Sequence, residues 1–556
     1  MALPHVRQLM IMGCVACAAC GSGEPVGPAG GEFSLGQSLA VESGRDVRIL
    51  PGAVDGEFMA VVSNVALDSV GRTTFALSGT GLQPVQAGPY GSLGVSADLR
   101  PEAPSADAPV RDVAFESRLR DRELAQLTPR MAAARSWYAA RVPALPASPS
   151  VGDLVSVNVN VDDPCSSPTY HTLRVVALGT KALVLNDTLN PKTGFTTADF
   201  QRYAAKFDTL VYPLDVAAFG EPTDIDKNGR IAIVFTRAVN ELTPRNSTSY
   251  VGGLAYTRDL FPQVASARAQ ACAASNEGEY FYLMTPDPSG TINGNRRTAG
   301  FVDSNTTAVI AHELQHIINA SRKLYVITAA PKFEEKWLDE GLAHMAEELL
   351  FYRESGLSSR SNLTYDAVAS SLRSRNAYST DMSGNASRYR DFLSSTAKSS
   401  PYAAGDSLST RGATWSLLRY LADQNASSDG DVWSRLVNNT AVGIANLQSV
   451  FGRDIGPMVR DWATSLAVDD IAGPAVTQQK SWNWRSVYGG SSGAAALYPL
   501  QVTAMQTATS YPGTVSAGGA VYYKLSVPAN GTATLSLTGQ AGATASNLQL
   551  VIVRTK

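Results

Sequence analysis

No run of 18 apolar residues occurs beyond the extreme N-terminus, which excludes a membrane-spanning helix. No stretch is strongly basic: 46 Lys and Arg stand against 49 Asp and Glu, a formal charge of −3. A nucleic-acid partner held by phosphate neutralisation is thereby excluded. No repeat of fixed period is present. Histidine is rare, with 5 in 556 residues, and cysteine is equally rare, also with 5. Apolar residues are plentiful. At 44% hydrophobic and 17% charged the chain can bury a large core, so wholesale disorder is excluded, and the length suggests about three or four domains.

One arginine, Arg7, precedes a short apolar run from Leu9 that ends in small residues, so residues 1–20 read as a signal peptide. Ala18-Ala19-Cys20-Gly21 resembles a bacterial lipobox, with Cys20 as the expected acylation site. Cys17 stands where the lipobox carries leucine, and Cys14 and Cys17 also follow small or apolar residues. Gly21 resembles the outer-membrane signal of Gram-negative lipoproteins. The expectation is a cell-envelope protein, an outer-membrane lipoprotein touching the membrane through its lipid only; secretion is the alternative. Export would expose Cys165 and Cys272 to oxidising conditions, so a disulfide between them is expected, against two buried free thiols. Closing a loop of this length stabilises by up to about 4.7 kcal/mol.

Hydropathy patterning predicts an α+β protein, its larger middle part flanked by small N- and C-terminal β domains. Residues 21–105 open with a Gly/Pro-rich tether, continue with period-two alternation through Val47, Ile49, Met59, Val61, Val65 and Leu67, and end in a Pro/Gly/Ala-rich linker; they read as a small β domain. Residues 106–150 read as a helical connector broken near Pro129. Residues 151–485 read as the main domain, with strands at Leu154–Val161, Ile231–Thr236 and Glu279–Met284 and helices from Thr306 to about Gly356. Residues 486–556 alternate again, through Tyr523, Leu525 and Val527 to Leu548, Leu550 and Ile552, and read as a separate C-terminal β-sandwich.

Three of the five histidines, His312, His316 and His344, are close in sequence. His312-Glu313-Leu314-Gln315-His316 is H-E-x-x-H within an apolar helix. Residues at i and i+4 sit about 40° apart around a helix, so both imidazoles can reach one zinc ion at about 2.0–2.1 Å. Glu313 lies beside them, placed to take a proton from zinc-activated water. A catalytic zinc needs a third protein ligand, and no histidine follows at metzincin spacing, since Arg322 stands six residues after His316. The next candidates lie in residues 333–350. On a helical wheel Leu338, Leu342, Met345 and Leu349 form one stripe, and Glu340, His344 and Glu347 the other. Geometry alone leaves Glu334, Glu340 and Glu347 open, and a solvated polar face is the simpler reading of that stripe.

Asp224-x-Asp226-x-Asn228-Gly229 matches the first half of a calcium loop, with oxygen donors at positions one, three and five. Phe235 stands where the bidentate glutamate belongs, which excludes a complete EF-hand. A Ca2+ site completed from elsewhere and an Asp/Asn-rich turn before a strand both remain.

H-E-x-x-H followed by W-L-D-E-G-L-A-H at 337–344 resembles the gluzincin metallopeptidases. More closely, A-H-E-L-Q-H-I-I-N at 311–319 and E-K-W-L-D-E-G-L-A-H-M-A-E-E at 335–348 resemble the hyicolysin family of bacterial neutral metallopeptidases. F-G-E-P-T-D-I-D-K-N-G-R-I at 219–231 and S-N-E-G-E at 275–279 extend the likeness over roughly residues 150–470. The resemblance implies a thermolysin-like catalytic domain of mixed sheet plus helices, zinc ligands His312, His316 and Glu340, and Glu313 as catalytic base. For His344 three roles stand: donor to the oxyanion, orienter of Glu340, or cap of a polar face. Gluzincins often use a tyrosine for the oxyanion; Tyr365, Tyr402 and Tyr420 lie downstream, and none is singled out. Asn319 is placed to hydrogen-bond near the site.

The expected function is a zinc metalloendopeptidase acting on protein or peptide substrates, with the strand Glu279–Met284 as a surface on which an extended substrate could pair. A surface-binding lipoprotein with a structural or inactive zinc site is the alternative, disfavoured by the intact Glu313. An aminopeptidase is disfavoured because no G-x-M-E-N-type segment occurs.

Overall fold

The computed structural model describes residues 29–85, 110–140, 149–160, 165, 167–265, 271–425, 428–452, 454–471, 478–492, 498–542 and 544–556. Residues 1–20, expected to be a signal peptide ending at Cys20, lie outside the described residues, as do residues 86–109, which include most of the expected Pro/Gly/Ala-rich linker.

The two ends of the chain build one β-sandwich between them. One sheet runs in the order Ala29–Glu32, Asp46–Leu50, Ala533–Gly539, Arg72–Thr80, Ser510–Ser516. The other runs Val502–Ala504, Ala520–Val527, Gly56–Asn64, Leu548–Arg554, Ser38–Glu42. This corrects the expectation of two separate flanking β domains. Gly56–Asn64 is central, antiparallel to Ala520–Val527 on one side and Leu548–Arg554 on the other. Its alternation has two outlets. Phe58, Ala60 and Val62 face the sandwich interior with Val47, Ile49, Leu525, Leu535 and Ile552. Met59 and Val61 face the helical body and join its core. Each terminal segment alone would leave such faces and strand edges uncovered, and association of the two satisfies both.

The body between them is α+β. A six-stranded mixed sheet has the order Gly253–Ala255, Tyr280–Leu283, Ile231–Phe235, Ala182–Asp187, Tyr170–Leu178, Leu154–Asn158. Its strands Tyr280–Leu283, Ile231–Phe235 and Ala182–Asp187 run parallel, and the remaining pairings are antiparallel. All five residues of Ile231–Phe235 are buried, as their β-branched and aromatic run requires of a strand covered on both faces. Tyr280–Leu283 has a neighbour on each side, so it offers no free edge to a substrate; the edge of the sheet there is Gly253–Ala255.

Five helices surround the chemistry: α1 (Val113–Leu127), α2 (Ala299–Ser321), α3 (Lys336–Ser355), α4 (Ser383–Leu393) and α5 (Leu408–Asn425). Asp112 caps α1 by accepting from Phe115 N, and Thr298 caps α2 by accepting from Phe301 N. α3 ends on Gly356 in the left-handed conformation, φ 78°. Two glycines set the packing. A Cβ on Gly341 of α3 would stand 2.6 Å from Thr414 Cγ2, and one on Gly412 of α5 would run into the Arg388 backbone of α4. Lacking side chains there, α3, α4 and α5 close together behind the site. Cys165 and Cys272 are joined in a disulfide. No helix among the described residues is long and apolar enough to cross a membrane.

Candidate metal centre

From Thr306 to Asn319 every residue of α2 is buried. A helix enclosed all round is apolar unless its polar groups are paired, so His312, Glu313 and His316 must have partners. α3 supplies most of them. His312 Nε2 lies 3.5 Å from Glu340 Oε2, and His316 Nε2 lies 3.8 Å from Glu340 Oε1. One donor atom from each of these three buried side chains falls within 4.8 Å of the others.

The Nδ1 atoms are held by other carboxylates. His316 Nδ1 is 2.8 Å from Asp339 Oδ2, and Asp339 Oδ1 accepts from Asn319 Nδ2 at 2.6 Å. His312 Nδ1 is 3.0 Å from Glu347 Oε1. Each carboxylate draws the ring proton to Nδ1 and turns the Nε2 lone pair towards Glu340, the arrangement that metal-binding imidazoles require. Burial would push the Glu340 carboxyl up, but the Arg411 guanidinium beside it holds it well below the usual range, so it is an anion.

The donor set fits zinc. Ligands at about 2.0–2.2 Å in a tetrahedron stand about 3.3–3.6 Å apart, close to the separations found. Glu340 Oε2 is buried without a hydrogen bond, although Arg411 Nη1 stands 2.9 Å away. With a guanidinium beside it but no hydrogen bond, this oxygen keeps lone pairs available to a metal ion.

His344 occupies the Nδ1 side of His312, the rings 4.9 Å apart. It is wholly buried, its Nδ1 3.1 Å from Glu347 Oε2 and its Nε2 without a hydrogen-bond partner. Burial, aided by Arg388, pushes its pKa down to about 3, so the imidazole is neutral. His312, His344 and Glu347 form a second cluster of donors. There Arg388 Nη1 stands 3.4 Å from Glu347 Oε2 and 3.5 Å from His344 Nδ1, and supplies the positive charge itself. The polar stripe of α3 is therefore an interior network and not a solvated face. Glu334 is turned elsewhere, to Lys323 at 3.3 Å and to Gly443 N and Asn446. Tyr402 is also committed elsewhere, its hydroxyl donating to Ala66 O.

Glu313 points to the sheet edge, where its Oε2 accepts from Ala255 N at 2.7 Å. α1 lies across the same place. Arg120, almost fully buried, brings Nη2 to 3.9 Å from Glu313 Oε2 and Nε to 3.6 Å from Glu340 Oε1. Its Nη1 donates to Ala255 O at 3.1 Å and pairs with Glu123 at 2.6 Å; Glu123 in turn accepts from Thr257 N. Ala255 at the edge thus has its N–H held by Glu313 of α2 and its carbonyl held by Arg120 of α1. From α5, Arg411 links Glu340 to Glu116 of α1 and to Asp406.

The structure brings His312, His316 and Glu340 together and sets Glu313 beside them. Asp339 escapes a reading of the sequence, although its place next to Glu340 in the W-L-D-E-G motif was a usable signal. Arg120, Arg388 and Arg411 escape it too, because an arginine in a helix carries no local mark of which carboxylate it will meet. Of the calcium candidates, Asp224 and Asp226 converge, and Asn228 lies against them, its Nδ2 donating to Asp226 Oδ2 at 2.6 Å while its carboxamide oxygen accepts from Arg230 N at 2.6 Å.

No family model matches the chain. Over 144 residues it is 30% identical to a protein described as neutral metalloprotease ShpI of Staphylococcus hyicus, a match covering 26% of this chain and 29% of that relative. The chain thus spans less than a third of the relative's length.

Proposed function

We propose that the protein is a zinc-dependent metalloendopeptidase of the hyicolysin-like gluzincin type. The observation that carries the reading is the convergence of His312 Nε2, His316 Nε2 and Glu340 on one point, each imidazole braced from behind by a carboxylate. His312, His316 and Glu340 would hold a zinc ion, which when bound would supply Lewis acidity towards water and the scissile carbonyl. Glu313, one residue after His312, receives the water proton and returns it to the leaving amine. Asp339 and Glu347 keep the two imidazoles in the ligating tautomer, and His344, neutral and enclosed, positions Glu347 and takes no part in the chemistry. An extended peptide would pair with the Gly253–Ala255 edge, which puts its carbonyl beside Glu313 once α1 has withdrawn.

Metal analysis of single variants tests the ligand set. Purified protein is expected to hold about one zinc and to lose casein cleavage with phenanthroline. Glu340→Ala should lose zinc outright, whereas Glu347→Ala, which removes only a brace, should weaken zinc by about 10–100-fold. The reverse order would assign the metal to the His312–His344–Glu347 cluster.

The envelope location rests on the lipobox-like segment. Acylation of Cys20 would tether the folded body to the membrane; Cys20→Ser is expected to move the protein from the membrane to the soluble fraction. Persistent membrane association would refute the anchor. A surface-binding protein with a structural zinc is the second reading, and Glu313 speaks against it, since a purely structural site has no use for a proton acceptor at that position.

A further inference from the structure

A second group of acidic side chains lies away from the histidines. Asp224, Asp226 and Glu279 bring one carboxylate oxygen each to within 4.8 Å of one another. Asp224 and Asp226 come from the turn that feeds the central strand Ile231–Phe235. Glu279 comes from just before the neighbouring strand Tyr280–Leu283, and local sequence does not connect it to the turn.

Glu279 is only 2% exposed. Its Oε1 accepts from Ile225 N at 2.8 Å, but its Oε2 has no hydrogen-bond partner. Asp224 repeats the pattern: Oδ2 accepts from Gly229 N at 3.2 Å, while Oδ1 is buried and unpartnered. Burial and the neighbouring Asp226 push the Glu279 carboxyl well above its usual range; two unpartnered carboxyl oxygens in one enclosed place, ionised only at a cost, are what a cation would satisfy. Lys227 does not do so, since its Nζ donates to Tyr138 Oη at 2.9 Å. The backbone accommodates the cluster. Lys227 is left-handed, φ 62°, and a Cβ on Gly278 would press to 3.2 Å from Asp226 Oδ2.

We infer that Asp224, Asp226 and Glu279 bind a calcium ion. All donors are hard oxygens, the class that selects Ca2+ over zinc, and Glu279 fills from a distant strand the place that Phe235 leaves empty in the linear motif. Backbone carbonyls and water complete the usual six to eight ligands. The ion fastens the 224–229 turn to two parallel strands of the main sheet. The preceding residue, Thr223, is bonded through its N to Ser321 Oγ at 3.2 Å, at the end of α2. Calcium therefore braces the foot of the helix that carries His312 and His316, without entering the chemistry. The inference is independent of the peptidase reading.

The test uses the full chain with its zinc retained, made calcium-free on a chelating resin and checked for zinc content. Adding Ca2+ to about a hundredfold excess over Kd is expected to raise Tm by about 2–4 °C. Tb3+ should bind with sensitised emission, tyrosine being adjacent at Tyr280, and Ca2+ should displace it. Glu279→Gln and Asp226→Asn should each weaken Ca2+ by about tenfold or more, since affinity follows ligand charge, while zinc content stays unchanged. If the wild type shows neither a Ca2+-dependent Tm nor displaceable Tb3+ emission, or if Glu279→Gln keeps the wild-type calcium response, the assignment is overturned. Should a variant fail to fold, the wild-type Tb3+ displacement still decides whether the protein binds calcium at all.

Discussion

Glu313→Gln is expected to bind zinc as the wild type does and to lose peptide hydrolysis by about 10²–10⁴-fold or more. The argument is local. Glu313 follows His312 directly, yet its carboxylate is not among the three converging donors; its Oε2 accepts from Ala255 N at 2.7 Å. Glutamine can accept that same hydrogen bond, so α2, the sheet edge and the ligand cluster should stand undisturbed. What glutamine cannot do is accept a proton. Zinc content and turnover measured on the same preparation separate the two properties. Retained zinc with lost turnover marks a proton-transfer residue, retained turnover would end the proposed mechanism, and lost zinc would show that Glu313 belongs to the metal-holding set.

The second large effect concerns α1. Arg120→Ala combined with Glu123→Ala is expected to raise peptidase activity by about tenfold or more, because a substrate must otherwise displace hydrogen bonds to charged groups worth about 1.5–3 kcal/mol each. In the arrangement described, Ala255 O is occupied by Arg120 and Thr257 N by Glu123, so an extended substrate aligning there must displace both. The arginine also competes with the metal. Its guanidinium lies 3.6 Å from Glu340 Oε1 and is surrounded by Glu123, Glu340, Asp339 and Glu313, so burial is outweighed and the charge is permanent. A dication beside the same carboxylate and the guanidinium repel each other at short range with little solvent between them. Removing Arg120 should therefore tighten zinc as well as uncover Glu313. Its removal also leaves Glu340 and Asp339 without that counter-charge, so the zinc-free variant should melt lower than the zinc-free wild type. Lower activity with unchanged zinc affinity would instead make Arg120 a substrate-binding residue, and α1 a fixed wall of the cleft.

The core of the site is legible in α2 because His312 and His316 are four residues apart, and helix geometry alone sets them on one side. The strand Ile231–Phe235 is legible for a similar reason, its apolar run being bounded by turn residues. The sandwich is not. Alternation at Phe58, Ala60 and Val62 and at Leu548, Leu550 and Ile552 declares two half-buried strands but says nothing of their being neighbours, and the structure pairs Val62 with Leu550. Glu279 is hidden likewise, because Asp224 and Asp226, which it meets, belong to another element.

What the sequence by itself determined is whatever the period of a single element encodes: the α+β class, the helix that presents two imidazoles and a glutamate together, and the acidic turn before the central strand. What only the tertiary structure decided is which charges meet across elements. Glu340 faces the histidines while Glu347 braces one of them, Arg120 stands between Glu313 and Glu340, and Glu279 meets the acidic turn. The physical reason is that a buried charge is tolerated only beside its partner, and that partner is chosen by the packing of whole helices and strands, not by distance along the chain.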